Sequence, residues 1–149
     1  MIGTSTATTR VFERKPTALL PDARPTDRSL RRWLQPCNEG LAAWARGIAA
    51  LAEATNVDED VLQLAVDELA ARACLHFDTE ERELLSVYAE SEPEEVGELM
   101  AEHAALRAIL NDLVHSIDQK GTRAERLAVL VAQLEAHAAR EREGLYSAI

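Results

Sequence analysis

The chain has 149 residues, of which 47% are hydrophobic but only 4% are aromatic. That length and composition are typical of one all-α domain. The formal net charge of −10 argues against a general nucleic-acid surface, and no apolar run reaches transmembrane length. The two cysteines form no C-x-x-C motif and the start of the chain has no apolar run of the secretory type. We therefore expect a reduced, cytoplasmic compartment.

Residues 1–35 are predicted to form a flexible or extended N-terminal arm. They carry seven Lys or Arg against three Asp or Glu, whereas the rest of the chain is strongly acidic. Such an arm is either a solvated tail or a segment that binds a protein partner. Near its end, residues 27–35 have the pattern of a short helical turn, and we expect Trp33 and Leu34 to dock on the following domain.

Residues 36–149 are predicted to form an antiparallel up-down-up-down four-helix bundle. Apolar residues recur at steps of three and four, and the expected helices lie near residues 37–54, 58–89, 93–119 and 123–147. Short turns between helices favour antiparallel neighbours. The boundaries come from local signals: Pro36 and Pro93 in first turns, Gly121 as a stop, and capping boxes at Asn56 to Glu59 and Thr122 to Glu125.

The second predicted helix carries metal-type donors where its apolar stripe should continue. The stripe consists of Leu62, Ala65, Leu69, Ala73, His76, Glu80, Leu84 and Val87. His76 and Glu80 are four residues apart and therefore share one face of the helix. A buried imidazole and carboxylate are costly unless they are paired, hydrogen-bonded or bound to a metal.

Two other helices bring donors to the same depth. His103 lies in the stripe of the third helix, and His137 and Glu141 lie in that of the fourth. With His76 and Glu80 they make three imidazoles and two carboxylates, a set that suits Fe, Mn or Zn. The alternative is a buried network of His–Glu hydrogen bonds without metal. The remaining histidine, His115, is out of phase with its stripe and should face solvent.

These residues resemble the hemerythrin-like (HHE cation-binding) family. The resemblance rests on His76-Phe77-Asp78-Thr79-Glu80-Glu81, Glu102-His103 and His137-x-x-x-Glu141, and it covers residues 36–149. It implies a non-haem di-iron centre in which His103 and His137 serve one metal, His76 serves the other, and Glu80 and Glu141 bridge them. It also implies binding or sensing of oxygen, nitric oxide or peroxide.

The sequence departs from the family pattern at two histidine positions. Leu99 stands where the first His of the third-helix motif belongs, and Leu41 aligns best with the His of the first helix. The centre is then a mononuclear site, a weakened di-metal site or a relic. Cys37, one turn from Leu41, either completes the second metal or is a small packing residue.

Three functions follow from these observations. The leading hypothesis is a metal-binding protein, with iron as the cofactor and a diatomic molecule or peroxide as the ligand. One alternative is a metal-poor bundle that acts as a regulatory or protein-interaction module. The other is a di-iron peroxidase-like or oxidase enzyme, but the paired Glu-x-x-His motif of ferritin-type oxidases is missing. We assign no catalytic residue, favour a non-enzymatic role, and expect neither nucleic acid nor membrane as a partner.

Overall fold

The computed structural model describes residues 25–149, and every regular element in this part of the chain is a helix. The elements in order are α1 (Pro25–Ala52), α2 (Glu59–Glu80), a π-helical turn (Glu81–Leu85), α3 (Ser86–Tyr88), α4 (Pro93–Ser116), α5 (Lys120–Glu143) and α6 (Leu145–Ala148). The predicted all-α class is confirmed. Among these helices none is both long and apolar enough to cross a bilayer. The division at residue 35 stays a prediction, because residues 1–24 lie outside the described part.

Ion pairs show how α1 lies against α5. Glu39, early in the contact region of α1, pairs with Arg142 near the end of α5, at 3.3 Å between Oε1 and Nη1. Arg46, two turns later in α1, pairs with Glu135 at 2.5 Å. The residue numbers rise along one helix as they fall along the other, so the two helices are antiparallel.

Cross-helix contacts give the same result for α2 and α4. Gln63 Nε2 donates to the carbonyl oxygen of Val114 at 3.0 Å near the start of α2. Arg107, earlier in α4, donates to Asp78 near the end of α2 at 2.6 Å. Together with the α1 and α5 pairing, these contacts are compatible with the up-down-up-down arrangement that the short connections predicted.

The apolar core is divided into two clusters. The large cluster consists of Leu41, Ala42, Ala45, Ile48, Leu62, Val66, Leu69, Ala73, Phe77, Leu106, Leu110, Leu113, Ile117, Leu127, Leu130 and Leu134. The small cluster consists of Leu34, Leu84, Leu85, Tyr88, Leu99, Leu145, Tyr146 and Ile149. A short buried stretch separates the two clusters along α1 and α4, and also where α2 continues into the π turn and α5 into α6. Burial of the two clusters drives the assembly, and the layer between them is left for polar side chains.

The first helix begins earlier than the sequence indicated. A start near Pro36 was expected, but α1 begins at Pro25 and contains Pro36. Its first turns are held by Leu34, which is fully buried, and by Asp27, which accepts a 2.6 Å hydrogen bond from the Tyr88 hydroxyl. These tertiary contacts outweigh the backbone hydrogen bond that Pro36 cannot donate. The expected docking of Trp33 is wrong, since its side chain is 53% exposed.

Both predicted capping boxes are wrong. Asp58, not Asn56, caps α2, and its carboxylate accepts from the backbone N–H groups of Asp60 and Val61. Residue Gly121 lies inside the first turn of α5 instead of ending α4, and within the described chain α5 has no side-chain cap. The predicted box at Asn56 has the spacing of a helix cap, but Asp58 lies closer to the first residue of α2 and is the residue that caps it.

The second helix does not continue unbroken to residue 89 as predicted. At Glu81–Leu85 it widens into a π-helical turn, in which the N–H of Ser86 bonds to the carbonyl of Glu81. A π turn adds one residue to the helical repeat, so the buried face shifts by one position beyond it. Consequently Tyr88 is buried, whereas Val87, the predicted stripe residue, is 37% exposed.

The cap assignment leads to a test of local stability. We expect Asp58→Ala to lower the free energy of unfolding by about 1 kcal/mol, because two backbone N–H groups at the start of α2 lose their acceptor. The matched control is Asn56→Ala, which should change it by less than about 0.5 kcal/mol. Urea denaturation of both variants measures the difference. Equal losses would contradict the assignment of Asp58 as the cap.

Candidate metal centre

Four of the five predicted donors meet in the layer between the clusters. Glu80, His103, His137 and Glu141 are buried, and each offers one ligand atom within 4.8 Å of the others. Nε2 of His103 lies 3.1 Å from Nε2 of His137 and 3.1 Å from Oε1 of Glu80. Its distance to Oε1 of Glu141 is 3.6 Å, and the same Glu141 oxygen contacts Nε2 of His137. The donors come from α2, α4 and α5.

The fifth predicted donor, His76, lies beside this group. It is buried, and its Nε2 is 3.6 Å from Oε2 of Glu80. Neither of its ring nitrogens has a hydrogen-bond partner among residues 25–149. By contrast His115 is exposed as expected, with Nδ1 2.7 Å from the carbonyl oxygen of Asn111. Oε1 of Glu80 therefore faces His103, and Oε2 lies near His76.

An outer carboxylate lies beside Nδ1 of each of the two central imidazoles. Nδ1 of His103 donates to Oε1 of Glu81 at 2.9 Å, and Glu81 is in turn held by Arg107 at 2.7 Å. Nδ1 of His137 lies 3.5 Å from Oε2 of Glu102. With Nδ1 turned outward, Nε2 of each ring points into the layer. Metal-binding histidines are usually held in this way, by a carboxylate on the ring nitrogen that does not bind the metal.

Sequence reasoning did not identify the roles of Glu81 and Glu102. Both lie next to a predicted donor, and an α-helix turns about 100° between neighbours, so the helical period alone does not place them beside the donors. Instead, the π turn begins at Glu81, and the consecutive Glu80 and Glu81 contact opposite ring nitrogens of His103. Acids directly before or after a seam donor are the signal that could have found them.

Two aromatic side chains close the layer. The Tyr146 hydroxyl, buried near the start of α6, donates to Oε2 of Glu80. Burial and the nearby carboxylates raise the pKa of Tyr146 far above its usual range, so that its proton stays on the oxygen. On the other side the Phe77 ring stacks on His103 with 4.5 Å between centroids. Cys37, the candidate substitute ligand, is a half-buried free thiol whose pKa is raised by burial and, to a smaller extent, by Glu80.

The carboxylates and imidazoles of this layer shift one another's pKa values toward their charged forms. Burial opposes ionisation of Glu80, but the imidazoles of His103 and His76 beside it hold its pKa well below its usual range. Burial likewise disfavours imidazolium, yet Glu141 and Glu80 raise the pKa of His103 to about 10. Glu102 and Glu141 raise that of His137 to about 9. The two Nε2 atoms lie 3.1 Å apart, and the charge on His103 lowers the pKa of His137 in part.

The donor set fits a transition-metal cation. Several close nitrogen–oxygen approaches, including that of His103 to Glu80, lack hydrogen-bond geometry within the described chain. Carboxylate oxygens of Glu80 and Glu141 that lack a hydrogen-bond partner there are available to bind a cation. Ligands bonded to one ion at about 2.1 Å lie up to about 4.2 Å apart, close to the spread found here. Two imidazoles with two carboxylates suit Fe, Mn or Zn.

Comparison with known proteins gives one match. The family model described as the hemerythrin HHE cation binding domain matches residues 33–149. This range includes all five predicted donors and begins inside α1. No curated protein and no solved structure matches the chain.

The raised imidazole pKa values imply a pH dependence of stability without metal. In an unfolded chain an imidazole has a pKa near 6.5, below the values of about 10 and about 9 for His103 and His137. Their stabilisation is thus fully present below about pH 6.5 and is lost as the pH rises through about 9 to 10. We expect the free energy of unfolding, measured by urea denaturation with a chelator, to fall by about 1–3 kcal/mol from about pH 7 to about pH 10.

The control for this experiment is His115→Ala, which removes the exposed histidine and should leave the pH profile unchanged. A profile without any fall over the same range would show that neither central imidazole gains a proton on folding.

Proposed function

Since the chain belongs to the hemerythrin HHE cation-binding domain family, we propose that it holds non-haem iron and binds or senses oxygen, nitric oxide or peroxide. The observation that carries this proposal is the group of four buried donors from three helices, with His76 beside it. Iron, when bound, would supply a redox-active centre to which a small ligand attaches. The chain's own contribution is to hold and orient the donors and to exclude water from them.

The proposed ligand set divides between two cations. His103 and His137 would serve one of them and His76 the other, with Glu80 and Glu141 shared, as the family resemblance implied. Both oxygens of Glu80 have an imidazole nearby, Oε1 that of His103 at 3.1 Å and Oε2 that of His76 at 3.6 Å. A carboxylate with a different imidazole at each oxygen is suited to bridging.

The surroundings of the donors favour a small uncharged ligand. The layer is bounded by the two apolar clusters, and its donors are almost completely buried. A charged ligand would lose most of its hydration on entering such a layer, whereas a diatomic molecule loses little. The only phenol there, Tyr146, already donates to Glu80 and keeps its proton. We therefore propose binding or sensing rather than turnover.

A metal-poor regulatory module remains the second candidate function. It is favoured by Leu99 and Leu41, which are buried apolar residues at the two positions where the family pattern led us to expect histidine. We further propose a cytoplasmic location, because both cysteines are free thiols.

Metal analysis of the purified full-length chain tests the proposal. After anaerobic loading with Fe(II) and removal of excess metal, we expect at least about one iron per chain, since the four-donor group alone can hold one cation. His137→Leu should reduce the iron content several-fold, whereas His115→Ala, its control at an exposed histidine, should leave it unchanged. Circular dichroism reports whether each variant is folded. Wild-type protein without bound iron, or equal losses in both variants, would contradict the proposal.

The leucine at the vacant third-helix position provides a gain-of-binding test. Leu99 is fully buried and lies one turn before His103 on α4. We expect Leu99→His to lower the unfolding free energy of the metal-free protein by about 1–3 kcal/mol, because a polar ring replaces a packed side chain. Fe(II) should offset that loss, since a ligand that binds only the folded state stabilises it.

The matched control is Leu106→His, at a buried position on the same helix but in the large cluster. It should destabilise the protein to a similar extent without recovery by Fe(II). Melting temperature and iron content with and without Fe(II) measure both effects. Equal recovery of the two variants, or of neither, would contradict the assignment of Leu99 to a vacated ligand position.

A further inference from the structure

Asn38 is an amide buried in α1. Its side chain is 1% exposed, and neither Oδ1 nor Nδ2 has a hydrogen-bond partner in the part of the chain that the structure describes. A buried amide without partners costs about 1–3 kcal/mol, and such groups are uncommon in folded proteins. Leucine would fill similar space without that cost. Within residues 25–149 the amide is therefore available to a bound ligand.

The position of Asn38 along α1 places it in the donor layer. One turn before it, Leu34 belongs to the small cluster, and about one turn after it, Leu41 belongs to the large cluster. The same sequence of environments marks the donors on the other helices. The corresponding triplets are Phe77, Glu80 and Leu84 on α2, Leu106, His103 and Leu99 on α4, and Leu134, His137 and Leu145 across α5 and α6. Asn38 is the buried polar residue of α1 at this level.

An ion pair confirms the depth independently of the clusters. Glu39, the neighbour of Asn38, pairs with Arg142, the neighbour of Glu141, at 3.3 Å. A second contact, from Arg31 to the carbonyl oxygen of Tyr146 at 2.9 Å, fixes the preceding turns of α1. The turn of α1 that contains Asn38 is thus level with the turn of α5 that contains Glu141.

The layer contains a second buried side chain without hydrogen-bond partners in the described residues, that of His76, and the chemistry of the two groups indicates a metal cation as their ligand. His76 is buried, and both its ring nitrogens lack hydrogen bonds within residues 25–149. It lies on α2, the helix that packs beside α1, and near the oxygen of Glu80 that faces away from His103. An imidazole nitrogen, a carboxylate oxygen and an amide oxygen are all electron-pair donors to a divalent cation.

We propose that Asn38 is a further ligand of the metal centre and gives its amide oxygen to the cation held by His76 and Glu80. This inference rests on the proposed function, because it presumes that the layer holds metal. It assigns the contribution of α1 to Asn38, and not to Leu41 or Cys37. An amide oxygen is a neutral ligand, so α1 contributes to the centre without adding to its buried negative charge.

The test compares Asn38→Leu with wild-type protein. Anaerobic titration with Fe(II), and with Co(II) followed by its visible absorption, measures the affinity and number of sites. We expect Asn38→Leu to weaken one site at least tenfold and to alter the Co(II) spectrum. Without metal the melting temperature of this variant should be equal to or above that of the wild type, since an unpaired amide has been removed. Asn38→His, which offers an imidazole at the same place, should restore the binding.

Cys37→Ala is the matched control, at the adjacent half-buried position, and should leave affinity and spectrum unchanged. Wild-type affinity in Asn38→Leu would overturn the inference while leaving the proposed function intact, whether or not the variant is less stable. An equal loss in Cys37→Ala would also overturn it, because the effect would not be specific to the amide. Absence of metal binding by the wild type would overturn the proposed function, and this inference with it.

Discussion

The structure depends on a carboxylate buried at the centre of the bundle. Glu80 is fully shielded from water, and the groups around it are His76, His103 and the hydroxyl of Tyr146. An isolated charge at such a place would be lost by a pKa shift or would unfold the protein. Here the imidazoles keep the carboxylate ionised. Every helix that contacts this layer must supply a compatible group, and this requirement interrupts the apolar core and leaves two clusters instead of one.

Charged side chains outside the layer connect its histidines to the surface of the protein. Arg107 holds Glu81, which holds the ring of His103, and Arg140 lies 3.2 Å from Glu102 beside His137. Each central imidazole is thus connected to solvent through a carboxylate and a guanidinium. Such chains fix the ring orientation before any ligand arrives, and preorganised rings lose little entropy on binding a cation.

The sequence predicted what periodicity governs. The four long helices, the buried phase of His76, Glu80, His103, His137 and Glu141, and the outward phase of His115 all follow from steps of three and four residues. What depends on tertiary contacts was missed. The start of α1 is fixed by Asp27 and Tyr88, residues far apart in sequence, and no local signal announces a π turn. No role could be predicted for Asn38, because the sequence does not show whether a single amide in a helix is buried or which groups surround it.

Because of the π turn, the contacts of the residues after α2 depend on the exact number of residues in this segment. Removing one residue between Glu80 and Tyr88 would restore an ordinary α-helix and rotate everything beyond it by about 100°. Tyr88 would then leave the small cluster and its hydrogen bond to Asp27. The docking of α1 therefore depends on the one residue that the π turn inserts. Substitutions should be far better tolerated in this segment than insertions or deletions.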